Sequence, residues 1–145
     1  MFKHILFPTD GESPSNAAIA PCVRLAKENG ARLTVLHVRA PFHFLSAYPA
    51  MLSDTPESYA VHSQQRARVC IEPVVEACQA QGVACETLTV EHEVPSEAIV
   101  TAAREHGCDL VAMASHGRRG VEAFFLGSET QKVLVRSPVP VLVFR

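Results

Sequence analysis

The chain predicts a doubly wound α/β domain, a five-stranded parallel sheet flanked by four helices in the Rossmann-like manner. One unit recurs three times: an amphipathic helix ends in glycine and passes at once into a β-rich run, at Asn29-Gly30, Gln81-Gly82 and His106-Gly107. A glycine just past a helix supplies the left-handed turn that sends the chain back toward a sheet. Two further apolar runs, Phe2 to Phe7 and Val139 to Phe144, open and close the chain. Strands that alternate with helices form a parallel sheet covered on both faces and joined by right-handed crossovers.

The first strand is followed by a helix that starts near Ser13-Pro14, with Ser13 or a neighbour as its cap and Pro14 in its first turn, and runs through Ala17, Ala18, Val23, Leu25 and Ala26. The second strand covers Ala31 to Val38. After it comes the one long irregular stretch, Arg39 to Pro56, which holds Phe42, Phe44, Tyr48 and Met51 among three prolines. A stretch of that length serves either as a lid over a ligand or as an apolar flap over the core. The second helix, Glu57 to Ala80, turns Gln64, Gln65, Arg66 and Arg68 outward and Val69, Val74, Val75 and Ala77 inward, with Pro73 marking a kink. Val83 to Val90 is the third strand, and the third helix opens at Pro95-Ser96-Glu97 and buries Ala98, Ile99 and Ala102. Asp109 to Met113 reads as a buried strand, Ser128 to Val135 as the fourth helix, and Val139 to Phe144 as the last strand. Pro140 confines that last strand to an edge or places the proline at its start.

With 145 residues, 48% of them hydrophobic, residues 1–145 suit one compact domain with a full core. A formal net charge of -2, with arginines spread along the chain, provides no basic field for nucleic acid. The opening apolar run is too short for a signal peptide and no segment reaches the length of a membrane span, so the expectation is a cytoplasmic protein without a membrane partner. Five cysteines without a Cys-x-x-Cys pair read as reduced thiols. The seven histidines show no helical i,i+4 pair and no carboxylate or cysteine at a ligand spacing, so no metal site built by the protein alone is expected.

Chemistry concentrates between the fourth strand and the fourth helix, in Met113-Ala114-Ser115-His116-Gly117-Arg118-Arg119-Gly120 and Gly127-Ser128-Glu129-Thr130. Gly117 and Gly120 allow positive φ and close backbone approach, while Gly127 and Ser128 offer N–H groups and a hydroxyl at the positive end of a helix dipole, a ready site for phosphate. The same glycines also suit a turn with no ligand. In an open parallel sheet, ligands bind beyond the carboxyl ends of the strands where the strand order reverses. If the first and fourth strands are neighbours there, Asp10, in Pro8-Thr9-Asp10-Gly11, faces the phosphate loop. Asp10 can accept from a ribose hydroxyl, ligate a phosphate-bound magnesium, or cap its own turn.

The Ile5-Leu6-Phe7-Pro8-Thr9-Asp10-Gly11 run, the second strand ending His37-Val38, the Asp109 to Met113 strand, the Gly-Ser helix start and the terminal Pro138-Val139-Pro140-Val141-Leu142-Val143 together resemble the universal stress protein family over the whole chain. The ATP-binding branch of that family carries glycine, two residues, glycine, nine residues, then Gly-Ser or Gly-Thr. Gly117, the nine residues Arg118 to Leu126, and Gly127-Ser128 match, and Ala114 stands at the first glycine.

That resemblance implies an adenine-nucleotide (ATP, AMP or ADP) binding regulator or sensor of stress with little or no turnover, the nucleotide arriving with or without Mg. Pro8, Thr9, Asp10 and Val38 would contact base and ribose, Met113 and Ala114 would line the site, and Gly117, Gly127, Ser128 and Thr130 would hold phosphates. It also implies a homodimer around the terminal strand, Val139 to Phe144. Two departures bear on the transfer. Ala114 fits only where φ is negative, and Glu129 is expected to set a carboxylate beside the phosphate donors and repel a triphosphate. The alternatives are a dimeric stress-response protein that binds no nucleotide, and a slow ATP hydrolase.

Overall fold

The computed structural model describes residues 1–42, 55–115 and 126–145. In chain order the elements are β1 (His4–Pro8), α1 (Ser13–Asn29), β2 (Arg32–Arg39), α2 (Pro56–Gln81), β3 (Cys85–Glu91), α3 (Pro95–Glu105), β4 (Leu110–Ala114), α4 (Ser128–Arg136) and β5 (Val141–Phe144). Every strand pairing is parallel, in the order β3-β2-β1-β4-β5. The predicted fold class is therefore the observed one, with strand starts shifted by one or two residues. Residues 43–54, which include Phe44, Tyr48 and Met51, and residues 116–125, which include His116, Gly117, Arg118, Arg119 and Gly120, lie outside the described residues.

The two faces of the sheet carry separate apolar layers. On one, Ile5, Phe7, Leu33, Val35 and Leu110 pack with Ala18, Cys22 and Val23 of α1 and Ile71, Val74 and Cys78 of α2. On the other, Leu6, Leu36, Val111 and Met113 pack with Ile99, Ala102 and Ala103 of α3 and Val133 of α4. Adjacent side chains on β1 and β4 thus point to opposite layers, as the two-residue period of a strand requires, and both central strands are buried on both sides. Gly30 and Gly82 end α1 and α2 with φ of 61° and 68°, the left-handed caps read from the sequence.

One local expectation, that for Val69, needs correction. α1 is capped by Glu12, the neighbour of Ser13, without a side-chain hydrogen bond at the cap, and Pro14 lies in its first turn as expected. The side chain that serves this turn is Asp10, described below. Val69 is 64% exposed, because the buried stripe of α2 runs through Ser63, Ala67, Cys70, Ile71, Val74 and Cys78. Read at 100° per residue, that stripe leaves position 69 on the solvent side. Pro73 lies inside α2 on its exposed side.

Asp109 ties the sheet together at the end opposite the strand termini that carry the motifs. Its two carboxylate oxygens accept from Lys3 N at 2.8 Å and His4 N at 3.0 Å, and its own N–H donates to His4 O. Burial opposes the charge, yet the backbone donors of His4 and Lys3 outweigh it and hold the carboxyl below its usual range. A carboxylate with a depressed folded pKa contributes stability above its unfolded value and loses that contribution as pH falls through the folded one. Asp109→Asn is accordingly expected to be less stable than the wild type at pH 7, with the gap closing below about pH 4. Urea denaturation at the two pH values measures it, and a gap that widens on acidification would refute the assignment.

Candidate functional site

β1 is the strand at which the order reverses: β2 and β3 lie on one side of it, β4 and β5 on the other. β1 and β4 are direct neighbours, Ile5 opposite Leu110 and Leu6 opposite Val111, so their carboxyl ends flank one crevice. Pro8, Thr9 and Asp10 come from the first end, Met113 and Ala114 from the second, and Val38 from the end of β2 on the far side of β1.

The β1 end is held rigidly. Thr9 N donates to Leu36 O at 2.8 Å, and His37 Nδ1 lies 3.1 Å from Thr9 O, the distance of an imidazole N–H donating to the carbonyl. Thr9 Oγ1 accepts from Gly11 N at 3.1 Å. Asp10 Oδ1 accepts from Glu12 N and from Ser15 Oγ, each at 2.9 Å, which fixes the entry to α1. The turn-capping reading of Asp10 is thus present in the structure, and its second oxygen, Oδ2, has no partner among the described residues. Gly11 has φ +75°, and a methyl placed on it would sit 2.6 Å from Cys70 Sγ, itself 3.4 Å from Asp10 O. Only glycine fits that turn.

At the β4 end, Ala114 is buried and has negative φ, as no described non-glycine residue has a positive one, so the methyl imposes no backbone strain. Ser115 N donates to Phe144 O at 2.8 Å, and Ser115 O accepts from Gly127 N at 2.7 Å, closing the two ends of the connection on each other. The Gly127 N–H is therefore occupied rather than bare, with φ −57° and ψ 150°. Thr130 is buried and its hydroxyl lies 3.2 Å from Ala114 O, where it fastens the first turn of α4 to β4. Ser128 is exposed at the head of the helix. Gly117 lies outside the described residues.

Glu129 corrects a further expectation. Its carboxylate faces α3, with Oε2 accepting from Ser96 N at 2.8 Å and Oε1 from Lys132 Nζ at 2.9 Å. Burial raises its pKa, and the Lys132 and Ser96 donors more than offset this, so the group is held below the usual glutamate range. The negative charge is committed to the start of a neighbouring helix, where backbone N–H groups attract it.

Sequence reasoning quotes Gly11, His37 and Ser115 within motifs but assigns no individual role to them, nor to Ser15 or Cys70. The Asp-Gly pair signals a turn, but the partners of that turn lie up to 60 residues away. A cavity of about 570 Å³ lies elsewhere, under α2 along β3, with Arg39, Arg68, Thr87 and Thr89 in its lining. Among the described residues of the strand-end region it includes Arg39 alone, which pairs with Glu91 at 3.3 Å. The crevice at the reversal carries the convergent polar groups.

The sequence profile of the universal stress protein family matches residues 1–145. The chain belongs to the universal stress protein family. A universal stress protein from Thermus aquaticus is 34% identical over 146 residues, covering 100% of both chains. Among solved structures, the Methanocaldococcus jannaschii universal stress protein MJ0577 superposes with a TM-score of 0.76 at 25% identity, covering 99% of this chain and 95% of that one. A universal stress protein in complex with cAMP gives 0.73 at 23% identity, covering 99% and 97%, and one from Archaeoglobus fulgidus in complex with dAMP gives 0.69 at 14%, covering 100% and 98%.

Proposed function

We propose that this universal stress protein is a single-domain, cytoplasmic regulator or sensor of stress that binds an adenine nucleotide, ATP or AMP, with little or no turnover. One observation carries the reading: Asp10, whose Oδ2 has no partner among the described residues, and the head of α4 follow strands adjacent at the topological reversal. Oδ2 suits a ribose hydroxyl, or a magnesium ion brought in on the phosphates. Pro8, Thr9 and Val38 would border the base, Met113 and Ala114 the floor, and the exposed Ser128 hydroxyl would meet a phosphate together with Gly117. Gly127 and Thr130 would serve indirectly, since their donors tie α4 to β4. The cAMP and dAMP complexes of fold neighbours agree with the ligand class.

Heating the protein with excess Mg-ATP, with AMP, and with no ligand tests this, because a ligand selective for the native state raises the midpoint. Both nucleotides are expected to raise it, and Ser128→Ala to weaken ATP by about tenfold. An unchanged midpoint with either nucleotide would overturn the reading.

A homodimer is proposed through β5. This strand is a sheet edge, with Leu142 on it 38% exposed, and on α4 Val135 is 85% exposed. An apolar edge of this kind calls for a cover. Sedimentation is expected to show a dimer for the wild type and a folded monomer for Leu142→Asp. A monomeric wild type at micromolar concentration would refute it.

A further inference from the structure

We propose that Cys85 and Cys78 form a peroxide-responsive thiol pair, in which Cys85 is oxidised first and Cys78 closes a disulfide with it. The two residues sit at opposite ends of one tight connection. Cys78 lies in the last turn of α2 and is fully buried, whereas Cys85 is the first residue of β3, an edge strand, and is half-buried. Gly82 reverses the chain between them at φ 68°, Val83 N donates to Cys78 O at 2.9 Å, and Leu33 N donates to Ala84 O at 2.8 Å. Cys85 consequently packs against the layer that contains Cys78 and Cys22.

Within that packing the Cys85 thiol lies 3.8 Å from Glu86 O, and contact with the Cys78 thiol, opposing burial, draws the Cys85 pKa below the usual thiol value. The same contact and burial push Cys78 up. Burial lifts Cys22 to about 12 and Cys108 to about 11. Cys85 therefore carries the larger thiolate fraction, with access to solvent, and its neighbour is a thiol that can resolve it.

The chemistry balances with a hydroperoxide as oxidant. The Cys85 thiolate attacks the peroxide, the O–O bond breaks, an S–O bond forms, and the alkoxide or hydroxide leaves with a proton. The Cys78 sulfur then attacks the Cys85 sulfenic acid, the S–S bond forms, the S–O bond breaks, and the hydroxyl leaves with the Cys78 proton as water. Two thiols lose two electrons and the peroxide gains them. The product would staple the end of α2 to the edge strand.

The sequence permits a direct readout. Cleavage after glutamate releases Ala77–Glu86, which holds these two cysteines alone, while Cys22, Cys70 and Cys108 each fall on a separate peptide. The intact protein is treated with hydrogen peroxide, its free thiols are alkylated, and the digest is weighed. Ala77–Glu86 is expected to escape alkylation, to be lighter by two hydrogens, and to revert with dithiothreitol. In Cys78→Ala, Cys85 is expected to be trapped by dimedone about tenfold faster than Cys70 or Cys108. The wild-type peptide decides the matter even if that variant does not fold. Recovery of Ala77–Glu86 alkylated at both positions, or its linkage to the Cys22 peptide Ser13–Glu28, would overturn the proposal.

Discussion

Gly11→Ala is expected to destabilise the protein by about 2–4 kcal/mol, the sum of a left-handed alanine and an overpacked contact. The φ of +75° supplies the first part, and the 2.6 Å approach of the new methyl to Cys70 Sγ supplies the second. Gly30→Ala is the control, since Gly30 has φ +61° with nothing within 4 Å of an added methyl, so it should cost only the backbone part, about 1 kcal/mol. Removing the sulfur separates the two effects. Cys70→Ala introduced alongside Gly11→Ala should restore about 1–3 kcal/mol relative to additivity, as read from a double-mutant cycle in urea. Equal losses for Gly11→Ala and Gly30→Ala would show that the contact carries no energy. Because Gly11 follows Asp10 directly, the same substitution should also weaken nucleotide binding.

Glu129→Val is expected to cost about 1.5–3 kcal/mol, because it removes the acceptor of the Ser96 N–H at a position that is fully buried. Glu129→Gln keeps an oxygen for that donor and should cost much less. A carboxylate standing in the crevice would behave in the reverse way: Glu129→Val would leave stability unchanged and tighten ATP more than AMP. Denaturation of the two variants, followed by calorimetry with both nucleotides, distinguishes the arrangements.

What is legible in the sequence is whatever its own local pattern determines. Gly30 and Gly82 mark helix ends because a left-handed cap is a one-residue requirement. The five strands announce themselves by composition, and their alternation with helices implies parallel pairing. The neighbourhood of β1 and β4, which the sequence supports only as a condition, is what the observed order supplies. The orientation of side chains at the crevice is not legible. Glu129 finds Ser96 33 residues away, and Gly11 is pinned by Cys70 from another helix. Both contacts depend on how α3 and α2 are set down on the sheet, and no periodicity encodes that. Val69 fails for a smaller reason, since an apolar residue one step off the stripe looks the same in sequence as one on it.

The central position of β1 also bears on how the chain comes together during synthesis. β1, β2 and β3 can pair in the order in which they are made, with α1 and α2 already able to cover one face. β1 acquires its other neighbour only when Leu110 and Val111 arrive, more than 100 residues later in the register Ile5–Leu110 and Leu6–Val111. Until then one long edge of the half-built sheet stands open, the costly kind of long-range closure that slows folding and invites wrong partners. The crevice runs along this late seam, so it exists only in a finished molecule, and a nucleotide held there would report that assembly is complete.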